Sequence, residues 1–213
     1  MKHPALIIDK EKIRHNTRAL ADLAAQSNIR IAGVTKVFCG LPEVAEAMVS
    51  GGAYALADSR VENLMKLQHI SVPKLLLRIP MMSQASQVVE YADISLNSEL
   101  ETIKALNEAA SQQSKVHQII LMVDLGDLRE GVWFEQAVEY AGEIVKLQNI
   151  KLLGLGTNLT CYGGVIPSAE NLGTLLRLAR GIEEKYDLQL EIISGGNSSS
   201  IHLLQKKQMP EGI

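Results

Sequence analysis

Along this chain short apolar runs alternate with longer stretches in which apolar positions recur every three to four residues. The runs are "IRIAGVTK", "AYALAD", "KLLLRIP", "ADISL", "HQIILMVDL", "KLLGLGTNL" and "LQLEIISGG". Their length and content of β-branched and aliphatic residues predict seven strands. An opening helix is expected from about Lys10 to Gln26, and the stretches "LPEVAEAMVS", "SRVENLMKLQ", "SELETIKALNEAASQQ", "EQAVEYAGEIVKLQ" and "SAENLGTLLRLARGIEEKY" carry the helical period between strands. Several begin with serine or proline, both helix-start signals, and Ser98 followed by Glu101 reads as a capping box. The strands lack strict apolar–polar alternation, which predicts cover on both faces of the sheet.

Strand–helix repetition of this kind specifies a parallel α/β sheet, either open and doubly wound or closed as a (β/α)8 barrel. An open nucleotide-binding sheet carries a glycine-rich turn after its first strand, whereas the turn here is "KVFCG". The closest imitation, "GLGTNL" at 154–159, has Leu159 where the third glycine belongs. The barrel is therefore favoured, in a single domain over residues 1–213. Seven strands leave it one short, and the chain stops at "QMPEGI" where an eighth would begin, so an incomplete barrel or a fragment is expected.

Composition narrows the function classes. Of 213 residues 46% are hydrophobic, and 21 basic against 24 acidic residues give a net charge of -3, ordinary for a globular domain with a sizeable core. Basic residues are dispersed and only 4% of residues are aromatic, which argues against nucleic-acid binding. The N-terminal apolar run is four residues long, too short for a signal peptide or membrane span. Cys39 and Cys161 stand apart, without CxxC or Cys/His spacing, so free thiols in a reducing cytoplasm and no metal are expected.

In barrels of this type catalytic groups collect at the C-terminal ends of the strands. The polar residues of this sequence fall there: Lys36 after the first run, Arg78 after the third, Asp124 and Arg129 after the fifth, Thr157 and Asn158 after the sixth, and "SGGNSSS" after the seventh. The two glycines, Gly195 and Gly196, let the backbone approach a ligand, and Asn197 and Ser198 open a helix whose free amides suit a phosphate; a flexible serine loop is the plainer reading. Lys36 is either a snorkelling surface lysine or a nucleophile at the mouth of a buried strand. A Schiff-base lysine with a phosphate site on the same face is what pyridoxal phosphate (PLP) requires. Class I aldolases share that pair but carry the lysine on a later strand.

The segments "IAGVTKVFCG", "LADSRVENL", "LLLRIPM", "VDLGDLREGV", "GLGTNLTCYGG" and "SGGNSSS" together resemble the alanine racemase-like family of fold-type III PLP enzymes, nearest its ornithine racemase-like branch. The resemblance covers the whole chain. It implies a PLP-binding barrel in which Lys36 forms the Schiff base and acts as one of two proton-transfer bases. It further implies that Arg129 approaches the cofactor's phenolic oxygen and the substrate carboxylate, that Ser198 binds the phosphate with Ser194, Gly195, Gly196 and Asn197 beside it, and that Asn158 lies near the ring. An amino-acid substrate, L/D interconversion and a homodimer in the full-length form are implied as well.

Departures from the family pattern sharpen this. Gly40 stands where alanine racemases have a phosphate-contacting tyrosine, and Asn158 where they have a histidine, which points away from strict alanine specificity and toward a basic amino acid such as ornithine. "GTNLTCYGG" fits the ornithine-type branch, with Cys161 and Tyr162 near the site but in no catalytic role. The family's eighth strand, with its arginine facing the pyridine nitrogen, and the C-terminal β domain carrying the second base have no counterpart here, so this chain alone is expected to be inactive. A single-domain PLP carrier of the same fold is the alternative. A metal-assisted aldolase or dehydratase would need a His/Cys pair that the sequence lacks.

Overall fold

The computed structural model describes residues 4–161 and 163–213; Tyr162 lies outside them. Helix α1 (Lys10–Ala25) starts where the Asp9 carboxylate accepts the Lys12 amide at 3.1 Å, and then the chain enters a regular strand–helix succession. The strands are β1 (Ala32–Val34), β2 (Ala55–Asp58), β3 (Lys74–Leu76), β4 (Ile94–Asn97), β5 (His117–Asp124), β7 (Ile150–Gly156) and β8 (Ile192–Ser194). They pair in that order, every pair parallel, and each of the seven coincides with an apolar run. A two-residue strand, β6 (Val132–Trp133), pairs in parallel with the end of β5 and was not foreseen, because two residues leave no period to read.

Helices α2 (Pro42–Ser50), α3 (Val61–Met65), α4 (Ala85–Tyr91), α5 (Leu100–Gln112), α6 (Ala137–Ile144) and α7 (Ala169–Tyr186) connect the strands, and α8 (Ile201–Gln205) follows β8. Consecutive strand residues serve opposite layers. Ile94, Leu96, Ile120, Met122 and Leu153 form an inner cluster, joined by Leu75, Leu77, Ile79 and Ile192, so strands from β3 to β8 converge around one interior. Ile119, Leu121, Val123, Leu152 and Leu155 face outward onto Ile103, Leu106, Ile144, Leu175 and Ile182 of the helices. Each such side chain contributes about 1.5–3 kcal/mol when fully buried, and two apolar faces explain why the central runs show no alternation.

The expectation of two covered faces fails at β1. Ala32 and Val34 are exposed and only Gly33 is buried, because β1 is an end strand with one neighbour, and among the described residues it does not pair with β8. The sheet is nevertheless curled on the barrel plan, and α8 reaches α1. Curling is assisted by an irregularity between β5 and β7, where Leu153 is the extra residue and Gly154 pairs with Ile120. A side chain at Gly154 would overlap the Ile192 carbonyl oxygen, so only glycine lets β8 approach.

The capping box lies elsewhere than Ser98–Glu101. Helix α5 begins one residue later, after Glu99, without a side-chain cap; Ser98 is buried and Glu101 pairs with Lys104 at 2.7 Å. The box forms instead at α7, where Ser168 Oγ accepts the Asn171 amide at 3.2 Å and Asn171 Oδ1 accepts the Ser168 amide at 2.9 Å.

Candidate active site

Lys36 follows β1 in a tight turn whose shape is locked from behind. Thr35 extends the ladder through its amide to the Ala57 carbonyl at 2.8 Å, and its hydroxyl donates to Asp58 Oδ2 at 2.6 Å. The other oxygen of Asp58 accepts the Arg60 amide and Asn63 Nδ2, each at 3.0 Å. Lys66 Nζ bridges the Cys39 carbonyl at 2.8 Å and Asn63 Oδ1 at 3.0 Å. Residues 36–38 form one 3-10 turn, closed by Cys39 and Gly40 in the left-handed region. At Gly40 a Cβ would lie 2.9 Å from the backbone and side chain of Asn63, so the turn leaves no space for a larger residue there.

Lys36 itself is exposed, not desolvated at the mouth of a buried strand, because the strand before it is an edge. Its ammonium has no hydrogen-bond or ion-pair partner among the described residues. It borders a cleft of about 840 Å³ at the ends of β1, β2 and β3, with Arg60, Lys66 and Arg78 as further cations and Glu62 as the one carboxylate lining it.

The other expected residues meet at the ends of β5, β7 and β8. Asp124 shapes the first loop, its Oδ1 accepting the Gly126 and Leu128 amides at 2.8 and 3.2 Å. Asp127 ties that loop to the next by accepting the Val165 amide at 2.8 Å. Arg129 Nε and Glu130 Oε2 form an ion pair at 2.7 Å, and Asn158 Nδ2 donates to Glu130 Oε1 at 2.5 Å. Asn158 Oδ1 in turn accepts from Asn197 Nδ2, while Asn197 Oδ1 accepts the Ser199 amide at 2.8 Å. The Ser199 hydroxyl donates to the Leu159 carbonyl at 2.9 Å, and Ser200 Oγ to the Gly195 carbonyl at 2.8 Å.

Ser194 ends β8, its carbonyl accepting the Thr157 amide at 3.1 Å. Beyond it the chain turns at Gly196, at a φ of 102°, and the amides of Gly196, Asn197 and Ser198 donate to no described residue. Gly196 and Ser198 are exposed and the Ser198 hydroxyl has no partner among the described residues. Three consecutive amides without partners among the described residues, beside a glycine at positive φ, are donors available to an anion. Such a donor set matches a phosphate, and a free lysine amine matches a carbonyl, so the residues present fit PLP.

The structure thus joins Glu130, Asn158 and Asn197 in one hydrogen-bonded relay, with Arg129 ion-paired to Glu130, beside Ser194, Gly195, Gly196 and Ser198. Lys36 stands at the same end of the sheet, in a cleft that none of them lines. Glu130, Ser199 and the Thr35–Asp58–Asn63 lock escaped the sequence reading. Adjacency to Arg129 was the only signal for Glu130, and Asp58 and Asn63 lie inside "LADSRVENL" without a spacing that marks them. Cys161 is exposed and, like Cys39, a free thiol.

The chain is 47% identical over 212 residues to the ornithine racemase of Acetoanaerobium sticklandii and 38% identical over 215 residues to the lysine racemase of Thermotoga maritima. The alignments cover 99% and 100% of this chain but 60% of each relative, so the chain spans about three fifths of their length. The alanine racemase of the D-cycloserine producer Streptomyces lavendulae superposes with a TM-score of 0.77 at 21% identity, over 95% of this chain and 55% of that one, and so shares the fold. The sequence model of the family described as alanine racemase, N-terminal domain, matches residues 8–210, and the chain belongs to that family.

Proposed function

We propose that residues 1–213 form the PLP-binding barrel of an amino-acid racemase acting on a basic amino acid such as ornithine or lysine. The observation that carries this reading is a lysine at the end of β1 and a run of three amides at the end of β8, all without partners among the described residues, on one end of one parallel sheet. The similarity to an ornithine and a lysine racemase supports the substrate class.

Lys36 would hold the cofactor through Nζ, and the amides of Gly196, Asn197 and Ser198 with the Ser198 hydroxyl would hold its phosphate. PLP, when bound, supplies the electron sink that makes the substrate α-proton labile. Arg129 would bind the substrate carboxylate: Glu130 is ion-paired at its Nε, and its two terminal nitrogens, without a partner among the described residues, remain as a pair of donors. The Lys36 amine moves the proton at Cα on its own side of the substrate. Among the described residues no helix is long and apolar enough to cross a membrane. A homodimer in the cytoplasm completes the proposal.

Incubation with PLP, borohydride reduction and peptide mapping should place a pyridoxyl label on Lys36. In deuterated water the loaded protein should incorporate deuterium at Cα of ornithine and lysine, and Lys36→Ala should not. A label on another lysine would overturn the assignment. Labelled Lys36 with no exchange for any amino acid would instead make the barrel a PLP carrier.

A further inference from the structure

Glu130 lies outside every role given above except that of neighbour, yet it is the hinge of the relay. Its carboxylate is mostly shielded, its side chain 19% exposed, and its two oxygens are divided between two partners: Oε2 is ion-paired with Arg129 Nε at 2.7 Å and Oε1 accepts Asn158 Nδ2 at 2.5 Å. Because Nδ2 of Asn158 is committed to Glu130, its Oδ1 is turned to Asn197 Nδ2. That in turn directs Asn197 Oδ1 to the Ser199 amide, leaving the three preceding amides free. Each amide group has one donor end and one acceptor end, so Glu130, which only accepts, sets the order at Asn158, and the Leu159 carbonyl, accepting Asn197 Nδ2 at 3.2 Å, sets it in the same sense at Asn197.

We infer that Glu130 is a positioning residue that couples the orientation of Arg129 to the shape of the amide cradle. This rests on the reading of the cradle as the PLP phosphate site. The ion pair at Nε holds the arginine beside the carboxylate, and the hydrogen bond to Asn158 leads through Asn197 into the turn that carries Gly196 and Ser198. Occupancy of the cradle and the aim of Arg129 therefore depend on each other, as linked sites must. Glutamine cannot replace the glutamate: its single acceptor end serves Arg129 or Asn158, and its donor end then faces an N–H of the other.

The test is a double-mutant cycle on PLP affinity, read by absorbance titration of the 213-residue chain. Glu130→Gln and Asn197→Ala should each weaken PLP by about tenfold, the scale of one hydrogen bond to a charged group. The double variant should bind about as the weaker single variant does, because both break one relay. A merely structural role for Glu130 would lower thermal stability and leave the two effects additive. Should Glu130→Gln not fold, Asn158→Asp breaks the same link by setting two carboxylates against each other, and it should weaken PLP similarly. Unchanged affinity in these variants, or a loss of about a hundredfold in the double variant, overturns the coupling while leaving the PLP site standing. An unaltered chain with no saturable PLP binding overturns both.

Discussion

The Thr35 hydroxyl donates to Asp58 Oδ2 across 2.6 Å, and neither side chain reaches solvent. This contact joins the end of β1 to the end of β2, so the turn bearing Lys36 is held by its neighbouring strand although β1 is itself an open edge.

Asp58→Ala should therefore be costly. It leaves buried Asn63 Nδ2 and the part-buried Arg60 amide without their acceptor, and the Thr35 hydroxyl with only the Ala57 carbonyl at 3.3 Å, at about 3 kcal/mol in total. Urea unfolding should report that loss, and borohydride labelling of Lys36 with PLP should fall in parallel because the turn loosens. Full labelling of an equally stable variant would show that the turn holds its shape without Asp58.

Ser198→Ala should behave in the opposite way. The hydroxyl has no protein partner among the described residues, so unfolding should be unaffected, whereas PLP affinity should fall by about 1–3 kcal/mol if the hydroxyl serves the phosphate. PLP titration and a urea curve on the same preparation separate the two effects.

His117 predicts an acid sensitivity. It is buried on β5 with Nε2 2.8 Å from Ser95 Oγ, which itself accepts from Asn97 Nδ2 and so turns its proton toward the ring. Burial lowers the imidazole pKa to about 4, with Asp93 opposing the shift and Lys115 adding to it. The folded value lies below the unfolded one, near 6.5, so between them the unfolded chain binds more protons and stability falls as the pH is lowered through that window. The loss should be about 2 kcal/mol between pH 7.5 and pH 5. Urea midpoints at the two values, compared with His117→Gln, provide the check; an equal decline in the variant would assign the sensitivity to other groups.

Two glycines should respond with opposite signs. Gly154→Ala drives a methyl group into the Ile192 carbonyl and should cost at least about 3 kcal/mol or prevent folding, since backbone of both strands would have to move. Gly181→Ala, inside α7 with no atom within 4 Å of the new carbon, should raise stability by about 0.5–1 kcal/mol through helix propensity. Thermal melts of both variants suffice.

The periodic pattern of the sequence by itself determined the parallel α/β plan: each of the seven strands falls on one of its seven apolar runs, with β4 and β7 extending one residue beyond theirs, since two-sided burial demands runs without alternation. It also located the polar strand ends, because loops at one end of such a sheet are the places where polar side chains meet no core. Tertiary structure decided what periodicity does not encode. Whether β1 is covered depends on its neighbours in the sheet and not on "IAGV", and so the exposure of Lys36 was not legible. Whether Ser98 caps a helix depends on where α5 docks, and docking moved its start past that residue. Glu130 became the centre of the relay only when the loops after β5, β7 and β8 were brought side by side, since a carboxylate can divide its two oxygens between residues 28 positions apart only in three dimensions.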